Sequence, residues 1–205
     1  MKTKKLWIIE LALFLAFAAA LLWGIRAVHT QQEISDKVVR LHVVANSDSE
    51  EDQALKLRVR DAILARTTAL LEASADRSDA EGLIRGQLLE LEELAKKEIA
   101  AAGYDYTVEA ELTEMDFPTK EYESFTLPAG NYLALRVSIG EGKGQNWWCV
   151  VFPPLCTAAA AEVPASALAA GFSQEEVRLI TGEDEGYVLK FKTLEWLEAL
   201  KEKME

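Results

Sequence analysis

The pattern of apolar and polar positions changes period several times along the chain, and each change marks an element. Residues 6–25, LWIIELALFLAFAAALLWGI, are apolar throughout except for Glu10. At 1.5 Å per residue a stretch of this length covers the roughly 30 Å hydrocarbon layer of a bilayer, so Leu6 to Ile25 is expected to be a membrane segment. Residues 26–37 are polar and read as a tether, or as an extension of the membrane helix. The β-branched run Val38–Val44, VVRLHVV, predicts a strand. Ser47-x-x-Glu50 has the spacing of a helix capping box and precedes Leu55, Val59, Ala62, Ile63, Ala69 and Leu70, a near-helical period. A second helix is expected from Ser78-x-x-Glu81, with Leu83, Ile84, Leu88, Leu91, Leu94, Ala95 and Ile99 on one face and Gly103 as its stop.

The period then falls to two. Tyr104, Tyr106, Val108, Ala110 and Leu112 alternate with polar residues, as in a half-buried strand. Leu127-Pro128-Ala129-Gly130 suits a type I turn. Asn131–Ile139 and Gln145–Phe152 read as two more strands, with GEGKG (140–144) as a hairpin connection between them. Beyond residue 157 the pattern weakens. Ser173-x-x-Glu176 offers a helix start, Tyr187–Lys192 a strand, and 193–203 an amphipathic helix. The predicted fold class is α+β: a mostly antiparallel sheet of three to five strands backed by helices, preceded by one N-terminal transmembrane or signal-anchor helix. The organisation expected is a membrane segment over 1–25, a tether over 26–37, a core domain over 38–156 and a C-terminal extension over 157–205.

Charge changes the picture in two ways. Lys2, Lys4 and Lys5 precede the apolar run, so the positive-inside rule keeps the N-terminus in the cytoplasm and exports the rest of the chain. Ala16-Phe17-Ala18 fits a signal-peptidase site, while Leu21, Leu22 and Trp23 continue the run past it, so both a cleaved signal and a retained anchor are open. The net charge is −12, and because residues 1–25 hold three Lys and one Glu, the remainder stands at −14. Such a domain repels phosphate backbones, which excludes nucleic acid as the expected partner; the bilayer, through residues 6–25, is the partner the pattern implies.

Chemistry-bearing motifs are few. GEGKG has neither the GxxxxGK[ST] nor the GxGxxG spacing, and the chain has no GxSxG and no HExxH. The two histidines are His29, in the tether, and His42, in a strand. His42 with Cys149, or an unidentified carboxylate pair, would serve a secreted or membrane-tethered hydrolase, the alternative reading. Asp48, Glu50, Glu51 and Asp52 could hold a hard cation, but acids at a helix start are explained by capping and the helix dipole. No catalytic, cofactor or metal residue is assigned. The only cysteines, Cys149 and Cys156, lack zinc-ligand spacing; outside the cytoplasm they are either a disulfide or two small buried thiols. Trp147 and Trp148 are adjacent on a predicted strand and must point to opposite faces. One is expected in the core and the other on the opposite face, either at a partner surface or covered there by helices or by Lys and Arg stems.

Four stretches together resemble a known family: RLHVVANSDSEEDQALKLRVRDAIL (40–64), FPTKEY (117–122), LPAGNY (127–132) and GEGKGQNWWCVVFPPLC (140–156). They are similar, in order, to the stage II sporulation protein R family, over about residues 39–156. That resemblance implies a non-enzymatic signalling protein of endospore-forming bacteria. It would be made in the forespore and exported into the space between the forespore and mother-cell membranes. There it would trigger a membrane-embedded aspartic-type protease of the mother cell, which removes the pro-segment of the early mother-cell sigma factor. No functional residue is carried over from the family.

Overall fold

The structure, a computed structural model, describes residues 2–157 and 161–182. Its first element is one continuous helix, α1 (Lys2–Ser35), about 51 Å long at 1.5 Å per residue. The tether is therefore the last third of the membrane helix. Ala27, Gln31, Ile34 and Ser35 recur at helical spacing, and Ala27, Ile34 and Ser35 are buried against the domain. The Gln31 side-chain amide occupies the place where a Cβ on Gly130 would stand. Helix continuity thus couples the apolar segment directly to the fold.

Strand β1 (Val39–Val44) comes next, then helices α2 (Glu50–Leu71) and α3 (Arg77–Ala101). Both helices start near the predicted places but with different caps. Ser49, not Ser47, accepts the Asp52 N–H, and Asp76, not Ser78, accepts the Asp79 N–H. Helix α3 stops as expected at Gly103 (φ 87°), where the Gly103 and Tyr104 N–H groups bond back to the Ala100 and Ile99 carbonyls.

Among the described residues, strands β2 (Val108–Phe117), β5 (Gly130–Ile139) and β6 (Asn146–Phe152) join β1 in a four-stranded sheet in the order β2-β5-β1-β6. A small hairpin of β3 (Lys120–Glu121) and β4 (Thr126–Leu127) lies between β2 and β5. The fold class is α+β, as the pattern predicts. Two of the three neighbouring pairs are antiparallel, but β1 and β5 run parallel. Consequently β5 and β6 do not form a hairpin: GEGKG carries the chain across the end of β1, which sits between them. Two helices occupy the stretch from β1 to β2, so the central strand β1 is far in sequence from both of its partners.

Strand alternation gives the sheet two faces. Leu41, Val43, Leu133, Leu135, Val137 and Cys149 lie on the face covered by α2 and α3, together with Val108, Ala110 and Leu112 from the predicted alternating run. Beyond β6, α4 (Val163–Ala169) and α5 (Gln174–Ile180) add Val163, Ala167, Val177 and Ile180 to the same core. The predicted Ser173/Glu176 capping box is present. Glu176 is buried and takes bonds of 2.6 and 2.7 Å from Lys37 Nζ, tying α5 to the start of β1. The strand expected at 187–192 and the helix expected at 193–203 lie outside the described residues.

Candidate functional site

The face of the sheet opposite α2 and α3 gathers residues from all four motif stretches. Arg40 and His42 project from β1, Phe117 ends β2, Tyr122 comes just after β3, Tyr132 lies in β5 and Trp148 in β6. Arg40 is fully buried. Its guanidinium lies 4.0 Å from the Phe117 ring centre and 4.9 Å from that of Tyr132, and its Nη2 donates to the Tyr122 hydroxyl at 2.8 Å. Burial raises the Tyr122 pKa above its ordinary value against the opposing effect of that cation. No carboxylate pairs with Arg40 among the described residues; two aromatic faces and one hydroxyl take its place.

His42 stacks flat on Trp148, with ring centres 4.2 Å apart and planes 4° from parallel. Its Nε2 donates to Asn146 Oδ1 at 2.7 Å. Burial lowers the His42 pKa, partly countered by the Asn146 bond, with Arg136 and Arg40 lowering it further. The imidazole is therefore held neutral as part of the aromatic face. Phe117 meets Trp148 edge-on at 4.7 Å. These contacts assign Trp148 a structural place.

Trp147 points the other way. It is 38 % exposed, on the α2 side of the sheet, and the Arg60 guanidinium lies 4.2 Å from its ring centre. The two tryptophans therefore differ as strand alternation requires: one packed in an aromatic stack, the other at the surface beneath an arginine.

Cys149 and Cys156 are bonded, with Cα atoms 6.1 Å apart, a spacing that suits a bridge. The turn at Pro153-Pro154 brings Cys156 back to β6, where its Sγ accepts the Val150 N–H at 3.0 Å. This geometry removes the hydrolase pair. Leu41, not His42, is opposite Cys149, so His42 and Cys149 project from opposite faces, and the sulfur is committed to a disulfide. Asp48, Glu50, Glu51 and Asp52 do not gather round a cation position; no metal-ligating group of three or more acids, histidines or cysteines occurs among the described residues. Asp52 is instead an acceptor for Asn46 Nδ2 (2.8 Å) and the Ser47 hydroxyl (2.6 Å). Burial pushes its pKa up, but hydrogen bonds led by those from Ser47 and Asn46 outweigh it and hold the carboxyl low.

Asn46 also explains GEGKG. Its Oδ1 accepts the Glu141 N–H at 3.0 Å, while the Lys143 and Gly144 N–H groups bond to the Asn46 and Ala45 carbonyls. Gly140 and Gly142 have φ of 57° and 60°, and a Cβ on Gly144 would strike the Ser47 carbonyl. The loop is a strap that locks the β5–β6 crossing onto the start of α2. Sequence reasoning missed this contact and the Arg40 cluster; an arginine inside an otherwise apolar strand was the available signal for the latter.

The structure thus defines a class: a compact α+β domain continuous with a helix long and apolar enough to cross a membrane, presenting an aromatic sheet edge. Comparison with known proteins narrows that class. Residues 35–162 match the family described as Stage II sporulation protein R. The chain is also 37% identical over 160 residues to "Stage II sporulation protein R" of Bacillus subtilis (strain 168), a match covering 75% of this chain and 71% of that protein. No solved structure matches. The chain belongs to the stage II sporulation protein R family.

Proposed function

We propose that this chain is an exported intercompartmental signal of endospore formation. It is made in the forespore, crosses into the space between the two membranes, and triggers an aspartic-type membrane protease of the mother cell that processes the early mother-cell sigma factor precursor. Family membership carries this reading. The N-terminal apolar helix supports the exported location, and Trp147 at the surface supports recognition of a partner. The chain acts as a ligand, not as the protease; the separation of His42 from Cys149 speaks against the hydrolase alternative.

The test is a strain lacking this chain, with the precursor and its mature form resolved by immunoblot. Processing should stop, return with the complete chain, and stay absent with a copy that lacks residues 1–25 and remains in the forespore cytoplasm. Normal processing in the deletion strain, or rescue by the cytoplasmic copy, would overturn the proposal.

A further inference from the structure

Helix α1 passes from bare to buried within one turn. Leu21, Leu22, Trp23 and Ile25 are exposed, whereas Ala27 is buried, and so are Ile34 and Ser35. Nothing in the sequence interrupts the helix between the two regimes: residues 2–35 contain no proline and one glycine, Gly24. Three elements hold the far end. Gln31 lies against Gly130 of β5, Asp36 is 3.5 Å from Arg77 Nη1 at the start of α3, and Lys37 is paired with the buried Glu176 of α5. Lower down, Trp23, Arg26, Ala27, His29, Thr30 and Glu175 line one cavity of about 520 Å³, so the start of α5 stands beside the turn at which the apolar run ends.

These contacts fix heights. Ile25 closes the apolar run and Arg26 is the first charge after it, which places the outer hydrocarbon boundary between them. From Arg26 to Thr30 the helix rises about 6 Å, and the headgroup layer is about 5–8 Å deep, so Glu175 stands at headgroup level. The signal-peptidase motif Ala16-Phe17-Ala18 lies on the other side of that boundary: Ala18 is helical and about 12 Å below Arg26, inside the hydrocarbon. Cleavage there would also leave Leu21, Leu22, Trp23 and Ile25 bare to water on a helix that the domain holds in place. Charge does not seat the domain. Arg26 and Glu175 bring one charge of each sign to the junction, and the chain beyond residue 25 stands at −14, so attraction to anionic headgroups is excluded as the cause.

We propose that residues 6–25 stay in the bilayer of the mature protein and that residues 27–35 are a rigid strut. The strut seats the domain on the outer lipid surface in one orientation, with the start of α5 among the headgroups. The partner of this surface is the bilayer itself. On the signalling reading above, the signal is then presented at a fixed height from the membrane that exports it and does not diffuse away. The seat itself does not depend on that reading, because the contacts that set it lie within this chain.

The test has two arms. In sporulating cells the complete chain, tagged at its C-terminus, is recovered and its N-terminus read by mass spectrometry. Residues 6–25 should be present and the protein should leave the membrane fraction only with detergent; a species that begins at Ala19 or beyond would overturn the proposal. For the seat, the full-length Glu175→Cys variant is kept unreduced, so that the Cys149–Cys156 bridge leaves position 175 as the free thiol for a fluorophore. In phosphatidylcholine vesicles carrying nitroxide-labelled headgroups its fluorescence should be strongly quenched, and equally at low and high salt. A flexible ten-residue Gly-Ser insertion between Arg26 and Ala27 gives the domain a range of about 16–19 Å and should lower the quenching severalfold. No quenching, equal quenching with and without the insertion, or quenching abolished by salt would each overturn the rigid seat. Gln174→Cys, exposed on the same turn, repeats the test if the first variant does not accumulate. Neither arm reads sigma-factor processing, so failure of the seat is seen separately from failure of the signalling reading.

Discussion

Replacing Trp148 with alanine removes a ring that lies flat on His42 and edge-on to Phe117. A fully packed Trp→Ala change costs about 3–5 kcal/mol; Trp148 is only partly buried, but its ring contacts add to its share, so a loss of about 3 kcal/mol is expected. For a domain of this size that lowers the melting temperature by about 6–12 °C. Trp147→Ala removes a surface ring and one arginine contact, about 1 kcal/mol at most, or about 2–4 °C. The order reverses for signalling. If Trp147 contacts the partner, its loss costs about 2 kcal/mol or more of binding while the fold survives, and sigma-factor processing falls. The assay is thermal unfolding of both variants tracked by circular dichroism, beside immunoblots of processing in sporulating cells. Equal melting of the two variants, or early melting of Trp147→Ala alone, would refute the assignment of faces.

Other named contacts carry expected outcomes of their own. His42 has a lowered pKa, so its contribution to stability is complete above about pH 6.5 and is lost as pH falls towards the folded-state value. Denaturant melts should show wild type losing up to about 1 kcal/mol more than His42→Phe between pH 6.5 and 5.5; identical slopes would show that His42 titrates alike in the folded and unfolded chain. Gly144→Ala places a methyl group against the Ser47 carbonyl and within 2.9 Å of Ala45 Cβ, which should cost about 1–3 kcal/mol in urea melts, whereas alanine at the open Gly86 should not. The Cys149–Cys156 disulfide should leave no thiol for maleimide in the unreduced protein. Its reduction should cost about 2–3 kcal/mol, and two labelled thiols before reduction would contradict the bridge.

Much of this arrangement was legible in the residues. Helices α2 and α3 were legible from apolar residues recurring at helical spacing, and β5 and β6 from short apolar, β-branched runs, because these residues meet in one core. Pairing was not legible. The parallel match of β1 with β5 joins residues such as Leu41 and Leu135, far apart in sequence, and local pattern carries no record of it. GEGKG looked like a hairpin for the same reason: two strands close in sequence were assumed to be neighbours in space. Residues 26–35 left a tether and an extended membrane helix both open, and the helix is what forms, because Gln31 and Ser35 hold half of a packing face that apolar counting scores as solvent-exposed. Both caps slipped by two residues, since Ser47 and Ser78 each lie within two residues of a better-placed acceptor. At the site, alternation alone separated Trp147 from Trp148. Which ring was packed depended on His42 and Phe117 arriving from other strands.

On the proposed reading this chain triggers a protease and is not one. The most direct test is reconstitution in a non-sporulating bacterium that makes the sigma-factor precursor, the mother-cell membrane protease and the complete exported chain, with the precursor monitored by immunoblot. Conversion is predicted only when all three are present, and none when the catalytic aspartate of the protease is replaced by asparagine. Conversion that survives that replacement, or that proceeds without this chain, would contradict the reading.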